Sequence, residues 1–315
     1  MTDKRAQLAR FSTLVADTGD LDTILQLQPV DATTNPSLML SVARYPDGPA
    51  LLQQARELAA RIDAEAGLAL CNDAFAAVVG QRILAAIPGW VSSEVDARLS
   101  FDRAATVARA RQILHCYELL GADTGRVLIK IAATWEGLQA AAELERDGIR
   151  CNVTLVFNTT QALAAAERGA TLISPFVGRI RDWALRQGAV INDIDDDPGV
   201  QSVRAIFRAL KGRGLPTLVM GASFRSTEQI EALAGCDRLT IAPSLLDALA
   251  QDPGTLQRQL DPAQVPSLDA SAPLTEAAFR WAMNDDAMAS ELLADGVRRF
   301  ARDQDALDQL LEPSA

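Results

Sequence analysis

Residues 126–157 read RVLIKIAATWEGLQAAAELERDGIRCNVTLVF. The first seven residues (RVLIKIA, 126–132) and the last seven (CNVTLVF, 151–157) are short runs rich in apolar and β-branched side chains, as buried strands are. Between them TWEGLQAAAELERDG (134–148) repeats its apolar residues at helical spacing and closes on Gly148, a residue suited to a helix C-cap. A strand, a helix and a second strand in this order form a βαβ unit, in which the two strands run parallel. The same alternation extends in both directions. Further strands read at STLVAD (12–17), VDATT (30–34), WVSSEVD (90–96), TLISPFV (171–177), PTLVMGAS (216–223) and RLTIAP (238–243), with helical patterns such as ALLQQARELAARIDAEAG (50–67) and TQALAAAERG (160–169) between them. Eight strands alternating with helices predict an α/β fold, a single (β/α)8 TIM barrel with an additional C-terminal helix. No stretch has the composition of a linker, so residues 1–315 read as one domain, with a helical extension over about 275–315. Within that extension an amphipathic stripe near 287–311 (Met288, Leu292, Phe300, Leu307, Leu311) is suited to cover the barrel or to pair with another subunit.

Composition removes several classes of function. At 315 residues and 49% hydrophobic content the chain can bury a large core. The opening MTDKRAQLARF has no apolar signal core, and no uncharged apolar run reaches the roughly 18 residues that span a bilayer, so a cytoplasmic protein without membrane partners is expected. A formal net charge of −11 repels nucleic acid, and any anionic ligand has to be drawn to a local basic patch. Cys71, Cys116, Cys151 and Cys236 are far apart and read as small buried hydrophobes. The only histidine, His115, lies in a helical stretch, which leaves no material for a multi-histidine metal site. The run Asp193, Asp195, Asp196 and Asp197 precedes Pro198 and reads as a solvated loop that places negative charge at a helix start. No glycine-rich phosphate cradle follows any strand, which disfavours nucleotides. A small-molecule enzyme without metal or cofactor is the expectation.

Only three of the 30 basic residues are lysines, and one of them, Lys130, stands inside the apolar run VLIKIAA, sharing a strand face with Leu128 and Ala132. Burying a lone ammonium costs several kcal/mol unless it is paired or neutralised. In a chain that otherwise uses arginine for positive charge, a strand-end lysine points to something arginine cannot do, which is to form an imine. Two carboxylates end strands in the same way. Asp17 shares a face with Thr13 and Val15, and Glu94 shares one with Ser92 and Asp96. Strand ends converge at one mouth of a barrel, and an amine with two acids there is the minimum for imine chemistry, since protons must move while carbinolamines form and bonds break. Asn152 with Thr154, and Ser223 with Arg225, keep a period of two inside apolar strands and suggest a polar lining. Arg179 and Arg225 follow adjacent strands, where together they suit a phosphate group.

These residues resemble the transaldolase family, in its long bacterial and eukaryotic form. The resemblance is carried by VADTGD (15–20), DATTNPSL (31–38), SSEVDARLS (92–100), LIKIAATWEG (128–137), CNVTLVF (151–157), ISPFVGRI (173–180), MGASFR (220–225) and AGCDRLTIAP (234–243). It implies Lys130 as the Schiff-base lysine, Asp17 as acid/base at the substrate C4 hydroxyl, and Glu94 moving protons through a bound water. It also implies that Thr33, Asn35, Ser92, Asn152, Thr154, Ser174 and Phe176 line the substrate pocket, and that Arg179, Ser223 and Arg225 bind phosphate. The implied reaction transfers a dihydroxyacetone unit between ketose and aldose phosphates in the non-oxidative pentose phosphate pathway, and the resemblance also implies a homodimer. Departures are confined to Ala133-Thr134, where S-T is common, to the NTT after Phe157, and to 188–197. The nearest alternative is the plain fructose 6-phosphate cleavage of shorter relatives, which tend to carry glutamine and tyrosine where this chain has Glu94 and Phe176.

Overall fold

The computed structural model describes residues 2–269 and 272–312. Its first part runs α1 (Lys4–Leu8), β1 (Thr13–Asp17), α2 (Leu21–Leu27), β2 (Asp31–Thr33), α3 (Pro36–Ala43), α4 (Gly48–Ile62), α5 (Leu68–Ala86) and β3 (Val91–Glu94). There follow α6 (Arg103–Leu119), β4 (Val127–Ala132), α7 (Trp135–Arg146), β5 (Cys151–Val156), α8 (Thr159–Ala166), β6 (Leu172–Pro175) and α9 (Gly178–Arg186). The last part is α10 (Pro198–Gly212), β7 (Leu218–Gly221), α11 (Thr227–Glu231), β8 (Arg238–Ile241), α12 (Pro243–Gln251), α13 (Glu276–Asp285) and α14 (Ala287–Leu311). The eight strands pair in chain order, all parallel, and β1 closes on β8, so the barrel read from the alternation is present. The end of the expected extension, 313–315, lies outside the described residues.

A closed parallel barrel hides both faces of its strands, which is why they are apolar almost throughout. Val15, Leu128, Leu172 and Met220 form a small interior cluster of their own, while the outward Ile129 and Ile131 join the large core shared with the helices. Val15 and Leu128 stand two residues before Asp17 and Lys130 on β1 and β4, so the period of two seats both of these charged side chains on this apolar layer.

Local chemistry sets the helix ends. Thr134 caps α7 through the Gly137 N–H, and Asn158 caps α8 through the Gln161 N–H. Gly148 and Gly169 follow their helices with φ of +82° and +85°, the left-handed conformation that an L side chain resists. The 50–67 pattern ends sooner than expected. Helix α4 stops at Ile62, and Gly67 is the N-cap of α5.

Three further expectations meet the structure here. All four cysteines are buried and free. The acidic run caps α10 as expected, but Asp197 is not solvated. It is fully buried, accepts the Gly199 and Val200 N–H groups, and pairs with Arg181 at 2.8 Å, because a buried carboxylate needs compensation on every side. Helix α5 comes closer to a membrane-crossing composition than expected, yet it carries Asp73 and Arg82 and packs among α4, α6 and β3 as a core helix.

Helix α14 covers the barrel. It lies against α3, α5, α9 and the end of β5, burying Leu292, Phe300, Leu307 and Leu311. It comes close at Gly296, where a Cβ would sit 2.7 Å from Leu155 Cδ2 and 3.2 Å from Arg179 Nη1. Leu155 is itself in the left-handed region at φ +55°, at the irregularity in the β5–β6 register.

Candidate active site

At the C-terminal ends of the strands a cavity of about 220 Å³ is lined by Asp17, Thr33, Asn35, Lys130, Ser174, Phe176, Arg179, Ser223 and Arg225, all anticipated from the sequence. Ser92, Glu94, Asn152 and Thr154 are not in its wall. A larger cavity, about 790 Å³, opens at the opposite end around Thr13, Leu14, Leu218 and Arg238, where the strands begin. In barrels of this type chemistry sits where strands end, and Asp17, Glu94 and Lys130 stand at that end.

Lys130 is 5% exposed, and its Nζ donates to the Thr34 carbonyl at 3.1 Å. Glu94, beside it in the β3–β4 register, brings Oε2 to 3.0 Å from Nζ as an ion pair, with both side chains nearly inaccessible (6% and 4% exposed). Among the described residues no hydrogen bond reaches Glu94 Oε2 or the buried Thr154 Oγ1. Asp17 lies in register with Thr33 and makes no ion pair among the described residues. Its Oδ1 accepts the Thr33 hydroxyl at 3.2 Å, and Thr33 Oγ1 in turn lies 2.8 Å from Thr240 Oγ1 on β8. Burial pushes both carboxyls above the ordinary carboxylate range. The Lys130 charge pulls each back down, and Asp17 also acts to raise Glu94. An ammonium paired with one such acid and sharing its cavity with a second is suited to moving protons.

Ser92, Asn152 and Ser174 form one buried chain across the barrel interior. Asn152 Nδ2 donates to Ser92 Oγ at 3.1 Å, and Ser174 Oγ donates to Asn152 Oδ1 at 2.6 Å. Asn35 caps α3, accepting the Leu38 N–H at 3.0 Å, while it lines the cavity.

The other side of the cavity is cationic. The Arg179 guanidinium lies 4.8 Å from the Phe176 ring centroid and 5.4 Å from that of Phe300. Its Nη1 is buried and has no hydrogen-bond partner among the described residues, and burial, then Arg299 and Arg225, lower its affinity for its proton. An arginine stays charged under such conditions, so this one is poised for an anion. Arg225 reaches the same wall because the loops approach closely. The Gly178 N–H donates to the Ser223 carbonyl at 2.9 Å, and a Cβ on Gly178 would meet that oxygen at 2.3 Å. Ser223 adopts φ +62° to make the turn.

A sequence profile of the family described as Transaldolase/Fructose-6-phosphate aldolase matches residues 14–311. The chain belongs to that family. It is 53% identical over 312 residues to a transaldolase of Marinobacter nauticus, covering 98% of this chain and 97% of the relative. It is also 51% identical over 316 residues to a transaldolase of a Marinomonas species, covering 99% of each. The chain is accordingly an enzyme of the transaldolase type, and the family membership read from its motifs is borne out.

Sequence reasoning had not placed Met220, Phe224, Thr240 and Phe300 in this transaldolase-type cavity, although all four line it. Thr240 carried a usable signal, a polar residue alternating inside the apolar strand RLTIAP. Phe300 carried none, since an apolar residue on an amphipathic helix announces burial without saying against what.

Proposed function

We propose that this transaldolase-type enzyme moves a dihydroxyacetone unit from a ketose phosphate to an aldose phosphate through a Schiff base on Lys130. The observation that carries the reading is the buried Lys130–Glu94 pair at the strand ends, with Asp17 in the same cavity and Arg179 and Arg225 at its far wall. Lys130, as the free amine, attacks the C2 ketone of fructose 6-phosphate or sedoheptulose 7-phosphate. Glu94, through a water shared with Thr154, supplies the proton with which the carbinolamine hydroxyl leaves as water. Asp17 takes the C4 hydroxyl proton, the C3–C4 electron pair flows into the protonated imine, and the aldose phosphate departs. The three-carbon enamine then attacks the aldehyde of erythrose 4-phosphate or glyceraldehyde 3-phosphate, Asp17 returns its proton, and water releases the new ketose from Lys130. Asp17 is suited to C4 because it stands apart from the amine that Glu94 holds directly.

A coupled assay for glyceraldehyde 3-phosphate released from fructose 6-phosphate tests the transfer. Release is expected to depend strongly on erythrose 4-phosphate. Equal release without the acceptor would make the enzyme an aldolase.

The phosphate wall gives a separate expectation. Arg225→Ala should weaken fructose 6-phosphate by about 1.5–3 kcal/mol, the value of a charge-assisted contact, while leaving unphosphorylated dihydroxyacetone nearly unaffected. Binding of the two is compared as half-saturation of borohydride trapping, and equal losses on both would remove Arg225 from the phosphate site.

The state of Asp17 sets the acid side of the pH profile. Only its ionised form can accept the C4 proton, so kcat should fall as pH drops through a value above the ordinary aspartate range. The Thr33 hydroxyl holds that value down, so Thr33→Val should move the acid limb to higher pH. A limb that stays in place or moves down in the variant would detach it from Asp17.

A further inference from the structure

We propose that Asp182 is a positioning residue for the anion end of the site. It holds Arg225 by one edge of its guanidinium so that the other edge, beside Ser223, faces the phosphate. The proposal rests on the phosphate reading of Arg179, Ser223 and Arg225 given above.

Arg225 Nε and Nη2 both donate to Asp182 Oδ2, at 3.0 and 2.7 Å. Its Nη1 points the other way, to the Ser223 carbonyl at 3.1 Å and the Ser223 hydroxyl at 3.2 Å. The carboxylate therefore occupies the edge away from Ser223. Asp182 lies three residues after Arg179 on α9, so one helix turn supplies both an anion-binding arginine and the counter-ion that orients the second. The two arginines are held differently. Among the described residues Arg179 is flanked by Phe176 and Phe300 and makes no ion pair, whereas Arg225, with its side chain 41% exposed, pairs with Asp182 and no other charged group. A long side chain left unheld surrenders its rotamer freedom when the ligand arrives, and Asp182 imposes that ordering beforehand.

The main chain of Arg225 is fixed by other groups. Its N–H donates to Gln229 Oε1 at 2.7 Å, and Gln229 Nε2 donates to the buried Asp197 Oδ2 at 2.8 Å. Asp182, 37% exposed, thus acts on the guanidinium alone, and its removal should leave the loop in place.

The test uses full-length Asp182→Ala, Asp182→Asn and Asp182→Glu, with inorganic phosphate as a competitive probe against fructose 6-phosphate. In the alanine and asparagine variants the inhibition constant for phosphate and the KM for fructose 6-phosphate should rise together by about tenfold, with kcat within about twofold of the parent. Half-saturation of borohydride trapping by dihydroxyacetone should be unchanged, Asp182→Glu should recover part of the loss, and Asp182→Ala should add nothing to Arg225→Ala. If Arg225→Ala alone leaves the phosphate constant unchanged, the phosphate reading itself fails. If Arg225→Ala raises it and the Asp182 variants do not, only the positioning role fails. A lowered phosphate constant would make Asp182 a competitor for Arg225, and equal weakening of phosphate and of dihydroxyacetone trapping would reduce it to a structural residue.

Discussion

Lys130→Arg is expected to abolish transfer, by on the order of 10⁴-fold or more, since arginine keeps the positive charge opposite Glu94 but cannot form an imine. Borohydride added to the parent enzyme with fructose 6-phosphate should inactivate it and leave a reduced three-carbon unit on the peptide carrying Lys130. The other two lysines should stay unmodified, because Lys4 is engaged with Glu231 and Asp252 and Lys211 with Asp237. The variant should be untrappable. A purely structural ion pair predicts the reverse order of damage, with arginine tolerated better than alanine, because removing one partner of a buried pair strands the other charge. An adduct on a different residue, or substantial transfer by Lys130→Arg in the presence of EDTA, would overturn the Schiff-base mechanism.

Asp17→Asn should separate imine formation from bond cleavage. The amide keeps the shape of the side chain and can still accept the Thr33 hydroxyl at its oxygen, but it cannot take the C4 proton. Loss of a positioned general base predicts a fall in kcat of about 10²–10⁴-fold. Lys130 and Glu94 remain in contact in that variant, so the ketose should still condense with the amine. Borohydride should then trap a six-carbon phosphorylated adduct in place of the three-carbon unit, a difference read directly by mass spectrometry. A three-carbon adduct formed at the parent rate would show that Asp17 is not the base at C4. An absence of any adduct would assign Asp17 to imine formation and merge its role with that of Glu94.

The barrel was legible because short apolar runs alternate with helical patterns, and the centre of the candidate site because polar residues recur within those runs with a period of two. Lys130 stands out as a charged residue in VLIKIAA, and the same alternation presents Asp17, Glu94, Asn152 and Thr154 on the faces that the structure turns inward or buries. Thr240 shows that the rule had further reach, since RLTIAP carries the same signature. Asp197 shows its limit. Four acidic residues in a short run read as solvated on composition, and only the approach of Arg181 and Gln229 from neighbouring helices makes one of them a buried anchor.

Sequence by itself determined the eight strands, their parallel closure, the family and the groups able to do imine chemistry, because each of these is encoded in local alternation or in short contiguous motifs. The tertiary structure alone decided what those groups do to one another. The Thr34 carbonyl on Lys130, the Phe300 ring beside Arg179, and the Asp182 grip on Arg225 across 43 residues join segments distant in the chain. Such contacts leave no periodic trace. Whether a strand-end arginine is free to bind an anion or is tied to a carboxylate depends on which loop folds against it, and that is settled only when the barrel closes and α14 covers its mouth.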